Sequence, residues 1–256
     1  MIEIKTGGEL DAMRAAGQVV ARTLETVRGE AAIGVSLREL DEVAAGVIAE
    51  AGAKSSFLGY HPNWAPSPYP GVLCTSVNDA VVHGIPTAYR LRDGDLVSVD
   101  FGASIDGWHG DAAISFVVGT ADPADLRLVD TTAEALAAGI AQVREGNRLG
   151  DIGAAVGVIG RRAGYGLLAD HGGHGIGRAM HEAPHVPNEA RAGTGVPLRA
   201  GMVLAIEPMF HAGGRDDYRH NEDGWTLHTA DGSRAAHVEH TVAITPEGPE
   251  TFTVLP

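Results

Sequence analysis

Apolar residues recur at Leu10, Met13, Gly17, Val20, Leu24 and Val27, close to the 3.6-residue period of a helix with one buried face. Thr6 and Glu9 stand three apart ahead of this stripe, the spacing of a capping box, and so predict where the helix opens. Ser36 and Glu39 repeat the device before a second helix, with Leu37, Leu40, Val43, Val47 and Ile48 inward and Gly52 as its stop. A proline-rich stretch, 61–70, then leads into strand-like segments from Gly71 to Thr75 and Ala80 to His83, and into a strand pair around Asp106-Gly107. The order restarts at Asp122-Pro123, an N-cap followed by proline at the first helical position. Leu126, Val129, Leu136, Ile140 and Val143 predict the inward face of this third helix.

The second half copies the first. Gly34, Leu37, Leu40, Val47, Ala51 and Gly52 correspond to Gly146, Leu149, Ile152, Ile159, Ala163 and Gly164 at a constant offset of 112. The segment from Leu91 to Asp100 recurs as Leu198 to Glu207, 107 residues on, each running from a Leu-Arg-x-Gly turn through an apolar strand to an acid. A second acid follows each copy, Asp111 and Glu239. Chance likeness of amphipathic helices would explain the helical match but hardly both acid positions. The expected architecture is therefore an α/β chain of the α+β kind: one domain over 1–256, in two pseudo-symmetric helix-helix-strand halves, about 6–120 and 121–250, around a central antiparallel sheet.

Four acids on otherwise apolar strands need protons or cations, because burial strips their hydration and they repel one another. With a two-residue turn at Asp106-Gly107, Asp100 falls opposite Ala113, and Asp111 lies on the same face as a diagonal neighbour about 7–8 Å away. A register slip of one residue would separate them, and a pair of turn-capping aspartates is the plainer reading of this hairpin taken alone. Between the halves, His171, His174 and His181 share eleven residues with four glycines, which predict close backbone approach to a ligand or ion. In the run His237-Val-Glu239-His240, alternation puts Glu239 and His240 on opposite faces. Carboxylates with one imidazole suit manganese, iron, cobalt or zinc, and two such ions would neutralise the four acids and support metal-assisted hydrolysis.

Composition narrows the setting. A net charge of −14 argues against tight nucleic-acid binding, and a single cysteine, Cys74, excludes an internal disulfide and suits a reducing compartment. No run is long enough to span a bilayer and the first residues carry no apolar signal region, so a cytoplasmic location is expected.

The stretch from Cys74 through His83 to Pro86, Val-Asp100-Phe-Gly, Gly-Trp-His-Gly-Asp111, Gly-His174-Gly-Ile-Gly, His181-Glu, Ile-Glu207-Pro and Val-Glu239-His-Thr resemble, in order and spacing, type I methionine aminopeptidases, over nearly the whole chain. The resemblance implies the pita-bread fold and removal of the N-terminal methionine from nascent polypeptides. It implies two divalent ions, with Asp111 and Glu239 bridging, Asp100 completing the second site, and His174 with Glu207 completing the first. Glu207 would be the general base, His83 would assist the leaving amine, and His181 would hydrogen-bond the substrate carbonyl. Tyr60, Tyr69, Cys74, Met180 and Trp225 would form the methionine pocket. Phe57 and Met180 stand where many bacterial members carry cysteine and phenylalanine, and about six extra residues separate Tyr60 from Cys74. A monomer making at most a transient ribosome contact, and binding neither membrane nor specific nucleic acid, is the expected state. An X-Pro aminopeptidase or prolidase-like enzyme and a non-catalytic peptide-binding protein of this fold are the alternatives.

Overall fold

The computed structural model describes residues 2–256, so Met1 lies outside the described residues. The chain runs α1 (Gly7–Glu30), α2 (Leu37–Glu50), β1 (Lys54–Ser55), β2 (Cys74–Val77), β3 (Ala80–Val82), β4 (Leu96–Ile105) and β5 (Trp108–Val117). It continues with α3 (Pro123–Ala141), α4 (Leu149–Arg162), β6 (Gly166–Leu167), β7 (Gly172–Gly175), β8 (Glu182–Pro187) and β9 (Val203–Ile206). The last elements are β10 (Met209–His211), β11 (Tyr218–His220), β12 (Leu227–Thr229), β13 (Ala235–His237), β14 (His240–Thr245) and β15 (Gly248–Thr251).

Two antiparallel sheets dominate: β1, β4, β2 and β5 in one, and β15-β14-β9-β7-β8 in the other. They meet where the Glu239 N–H donates to the Ala113 carbonyl at 2.9 Å and the Ala113 N–H donates back at 3.3 Å. Two smaller three-stranded sheets, β13-β10-β6 and β11-β12-β3, flank this seam. Val19, Val20, Leu24 and Val27 of α1 and Leu37 and Leu40 of α2 pack on Val97, Val99 and Phe101 of β4. Leu149 and Ile152 of α4, with Leu136 of α3, pack on Leu204, Ile206, Val242 and Ile244. The helices thus lie outside and the strands carrying the acids lie between them.

The offsets read in the sequence recur in the backbone. Residues 37–50 and 149–162 are both helical, and isolated bridges join Ser36 to Arg90 and Arg148 to Pro197, positions 112 and 107 residues apart. In both helices the N-cap N–H donates to an acid three residues on, Ser36 to Glu39 at 2.7 Å and Arg148 to Asp151 at 2.8 Å, and at Ser36 the hydroxyl accepts from the Glu39 N–H in return, completing a capping box. The Ser36 cap contributes about 1 kcal/mol.

Three expectations need correction. The strand expected from Gly71 starts at Cys74, because the Val72 and Leu73 N–H groups donate to the Asp41 carboxylate of α2 (2.8 and 2.9 Å) instead of joining a ladder. The inward line of α2 runs Leu37, Leu40, Ala44 and Ile48, with Val43 and Val47 on its flank. In α3 the buried face is Asp125, Leu128, Thr132, Ala135, Leu136 and Gly139, and Leu126 is 46% exposed. Polar residues can occupy that face because each finds a partner there: Asp125 pairs with Arg234 at 3.3 Å and Thr132 Oγ1 donates to the Leu128 carbonyl at 2.7 Å.

Candidate metal centre and cleft

The β4–β5 hairpin closes through Asp106 (φ 50) and Gly107 (φ 78), both left-handed as a two-residue I′ turn requires, and its last pair is Ile105 with Trp108. From that turn the pairing is continuous, setting Asp100 opposite Ala113 and Asp111 opposite Gly102. The two aspartates therefore share a face, and the bridge from Ala113 to Glu239 brings the second half's acid beside them. Thr241 Oγ1 accepts from the Asp111 N–H (2.9 Å) and donates to its carbonyl (2.8 Å), tying β5 to β14 at this point. Glu207 follows β9, with its carbonyl held by Asn188 Nδ2 at 2.9 Å.

His174 lies on β7 opposite Ala205 of β9. Its Nδ1–H donates to the Gly175 carbonyl at 2.9 Å, which leaves the Nε2 lone pair facing Asp111 Oδ2 (3.8 Å) and Glu207 Oε1 (3.6 Å). The glycines beside His174 allow close strand packing: a Cβ on Gly173 would overlap the Ala205 carbonyl, and one on Gly175 the Ala183 carbonyl. His171 stands apart, its Nδ1–H donating to the Ala169 carbonyl at 2.7 Å.

The donor set fits divalent cations. Asp100 Oδ1, Asp111 Oδ1 and Glu239 Oε1 are buried without a hydrogen-bond partner, a cost a protein does not carry for neutral packing. The separations from His174 Nε2 are too long for hydrogen bonds and suit donors that share an ion. Burial pushes the Asp111 carboxyl up to about 7, and burial followed by repulsion from neighbouring acids pushes Asp100, Glu207 and Glu239 well above the carboxylate range. Burial, with His181 nearby, holds His174 down at about 3, so its imidazole is neutral and available as a ligand.

A cavity of about 320 Å³ opens onto these acids, walled by Phe57, Tyr60, Trp64, Tyr69, Cys74 and Trp225. Tyr69 OH donates to the Gly84 carbonyl (2.8 Å), and Trp225 Nε1 donates to the Ser67 carbonyl (3.1 Å), pinning the proline-rich loop against the rim. The same loop is closed by the Tyr69 N–H donating to the Tyr60 carbonyl at 2.8 Å, so both tyrosines face the cavity despite the extra residues between Tyr60 and Cys74. Trp64 at the loop's tip stacks near His83, with centroids 6.2 Å apart. Met180 is not among the lining residues; it is 5% exposed and belongs to the apolar cluster that holds Phe57, Tyr69 and Trp225.

His83 follows β3 with φ 59, a left-handed conformation uncommon outside glycine and concentrated at functional sites. Its ring faces the cleft, and burial together with His171 lowers its pKa to about 3. His181 stands at the exposed mouth, its ring 4.3 Å from that of His174 and 5.3 Å from Tyr60. His240 turns away from the acids to Thr253 (2.9 Å), as alternation predicts. By the same alternation His237 shares the face of Glu239, and it is the residue the sequence reading passes over. Its Nε2 lies 3.7 Å from Glu239 Oε2 and 3.8 Å from Glu207 Oε2.

Residues 11–246 match Metallopeptidase family M24. The chain is 53% identical over 258 residues to methionine aminopeptidase 1 of Mycobacterium tuberculosis (strain CDC 1551 / Oshkosh), covering 98% of this chain and 94% of that protein. It is 43% identical to the methionine aminopeptidase of Clostridium perfringens (strain 13 / Type A), covering 100% of both. The crystal structure of methionine aminopeptidase from Thermotoga maritima superimposes with a TM-score of 0.95 at 40% identity, covering 99% of this chain and 100% of that one, and carries the pita-bread fold over the molecule. A chain that matches along its whole length in both sequence and backbone belongs to metallopeptidase family M24, among its methionine aminopeptidases.

Proposed function

We propose that this chain removes the N-terminal methionine from nascent proteins and peptides by hydrolysing the first peptide bond, as a single catalytic domain built from two half-repeats. The observation that carries the reading is the convergence of Asp100, Asp111, His174, Glu207 and Glu239 at one end of a cavity walled by aromatic side chains and the Cys74 thiol. The identities of its relatives favour methionine over X-Pro substrates and over a non-catalytic role.

Asp111 and Glu239 would bridge two divalent ions, Asp100 would complete one site, and His174 with Glu207 the other. When bound, such ions acidify water and polarise a carbonyl oxygen. Glu207, whose burial raises its proton affinity, accepts the proton of the attacking water and passes it to the departing amine. His181 at the mouth donates a hydrogen bond to the carbonyl oxygen as negative charge develops there. His83 stays neutral at working pH and hydrogen-bonds the scissile nitrogen. Tyr60, Tyr69, Cys74 and Trp225 receive the methionine side chain, whose polarizable sulfur packs well against ring edges.

The ions are drawn from manganese, iron, cobalt and zinc, since the donors are oxygen and imidazole nitrogen. We place the protein in the cytoplasm as a monomer with at most transient ribosome contact. Its one cysteine is free, its net charge of −14 opposes nucleic-acid binding, and among the described residues no helix is long and apolar enough to cross a membrane.

The deciding test is free methionine released from a Met-Ala-Ser peptide by chelator-stripped protein, before and after manganese or cobalt is added. Release only after addition is expected. No release from a metal-loaded protein would turn attention to X-Pro peptides. A second expectation concerns His83→Ala: kcat falls about 10²–10³-fold while Mn²⁺ affinity is kept, since the ring lies beside the leaving group and not among the ligands. A variant that had lost its metal would show that role to be misassigned.

A further inference from the structure

His181 ends the connection between β7 and β8, residues 176–181, and its ring packs against those of His174 and Tyr60. Ring packing of this kind leaves the aim of its nitrogens to the backbone that carries it. That backbone is folded around one lysine. Lys5 is 5% exposed and its Nζ donates to Glu182 Oε2 at 2.8 Å, while Glu182 Oε1 accepts the Ala179 N–H at 3.0 Å. The Glu182 carboxylate thus ties the residue after His181 to the stretch before it. The lysine stem fills the inside of the turn: a Cβ on Gly177 would stand 2.6 Å from Lys5 Cε. Burial raises the Glu182 carboxyl, but the Lys5 ammonium and the Ala179 N–H outweigh it and hold it below its ordinary value, so the pair is ionised.

Lys5 is itself anchored beside β9 and β14. Its N–H donates to the Gly201 carbonyl at 2.7 Å, and the Gly201 N–H donates to the Ile244 carbonyl at 2.9 Å. Gly201 (φ 88) permits this approach, since a Cβ there would stand 2.8 Å from the Lys5 carbonyl oxygen. The start of the connection is tied to β5, where the His109 N–H donates to the Gly177 carbonyl at 2.9 Å while its ring turns to Ser56 Oγ at 2.8 Å, away from the acids. The chain that carries His181 is therefore clamped from both halves of the molecule, and Lys5 is the buried charge in that clamp.

We propose that Lys5 is a positioning residue for the hydrolysis: through Glu182 it fixes the connection that carries His181, and with it the reach of that imidazole to the substrate carbonyl. The proposal rests on the aminopeptidase reading and on the role it gives His181. A buried ion pair adds little net stability over apolar side chains of the same volume. Its contribution here is geometric, because a displacement of about 1 Å at a group aimed at the reacting carbonyl costs up to about 10²-fold in rate.

The test is a double-variant cycle on the full chain loaded with Mn²⁺, assayed on Met-Ala-Ser as parent, Lys5→Met, His181→Ala and both together. Methionine keeps much of the lysine stem and removes its charge. His181→Ala is expected to lower kcat about 10²–10³-fold and Lys5→Met about 10-fold, with a smaller change in KM. Once His181 is gone, Lys5→Met is expected to add less than about 2-fold, because no imidazole is left to misplace. An equal loss in both backgrounds overturns the proposal, since the lysine would then act on the fold or on the whole centre; so does parental kcat in Lys5→Met or in His181→Ala. Should Lys5→Met fail to fold, Glu182→Gln, which keeps the shape and removes the charge Lys5 faces, enters the same cycle with the same outcomes. A readout independent of turnover is the His181 ring signal in ¹H–¹³C NMR of the zinc-loaded chain, expected to be single and sharp in the parent and shifted or broadened in Lys5→Met. An unchanged signal overturns the proposal. A metal-loaded parent that releases no methionine would instead sink the aminopeptidase reading, and the NMR comparison would still decide whether Lys5 places the ring.

Discussion

Glu207→Gln is expected to lower kcat for a Met-Ala-Ser peptide by about 10²–10⁴-fold, the range that loss of a general base produces, with a smaller change in KM. The substitution preserves shape, and the backbone anchor from Asn188 to the Glu207 carbonyl is untouched, so the side chain stays in place. What disappears is the ability to take a proton from water and one negative charge facing His174 and His237. Calorimetry with Mn²⁺ separates the two losses: an enzyme that binds metal at saturating concentration yet stays slow has lost its base. Parental kcat in the Glu207→Gln enzyme would place the base elsewhere.

The metal-free protein is expected to melt at progressively lower temperature as pH rises from about 6.5 toward 8, while the metal-loaded protein does not. An acid whose pKa is raised on folding holds more protons folded than unfolded. Its stability contribution is therefore lost as pH climbs from the unfolded to the folded value. For Asp111 that window runs from 3.8 to about 7, and Asp100, Glu207 and Glu239 shift in the same direction. His83, His174 and His237 act oppositely: each falls from 6.5 to about 3, so stability through them rises with pH but is complete by 6.5. Above that point only the acids remain in play. Bound cations replace the missing protons, and binding itself strengthens as protons leave the ligands. Differential scanning calorimetry reads the result, at roughly 2–4 °C of melting temperature for each 1 kcal/mol lost. A metal-free melting curve flat in pH would mean that the acids are not charged and crowded as the geometry implies.

Much of the site is legible before the fold is known. The turn at Asp106-Gly107 is set by two adjacent residues tolerant of positive φ, and alternation from it delivers Asp100 and Asp111 to one face. The first two helices and their capping boxes at Thr6 and Ser36 follow from local spacing in the same way. Where side chains compete for long-range partners, local pattern is a poorer guide. The burial of Asp125 depends on Arg234, more than a hundred residues away, and the late start of β2 depends on Asp41. Met180, expected in the pocket wall, is buried in the same apolar cluster as Phe57, Tyr69 and Trp225, which line the cavity.

By itself, then, the sequence determined the helices, the β4–β5 hairpin register, the matched offsets of 112 and 107, and which acids stand on the apolar strands, since each is read from spacing along the chain. Only the tertiary structure decided that β5 and β14 meet at Ala113 and Glu239, that the glycines of β7 accommodate neighbouring carbonyls, and that His237 faces two acids while His109 does not. Those outcomes depend on which chain segments approach one another and how closely, and no short-range pattern specifies the distance between strands brought together from opposite halves.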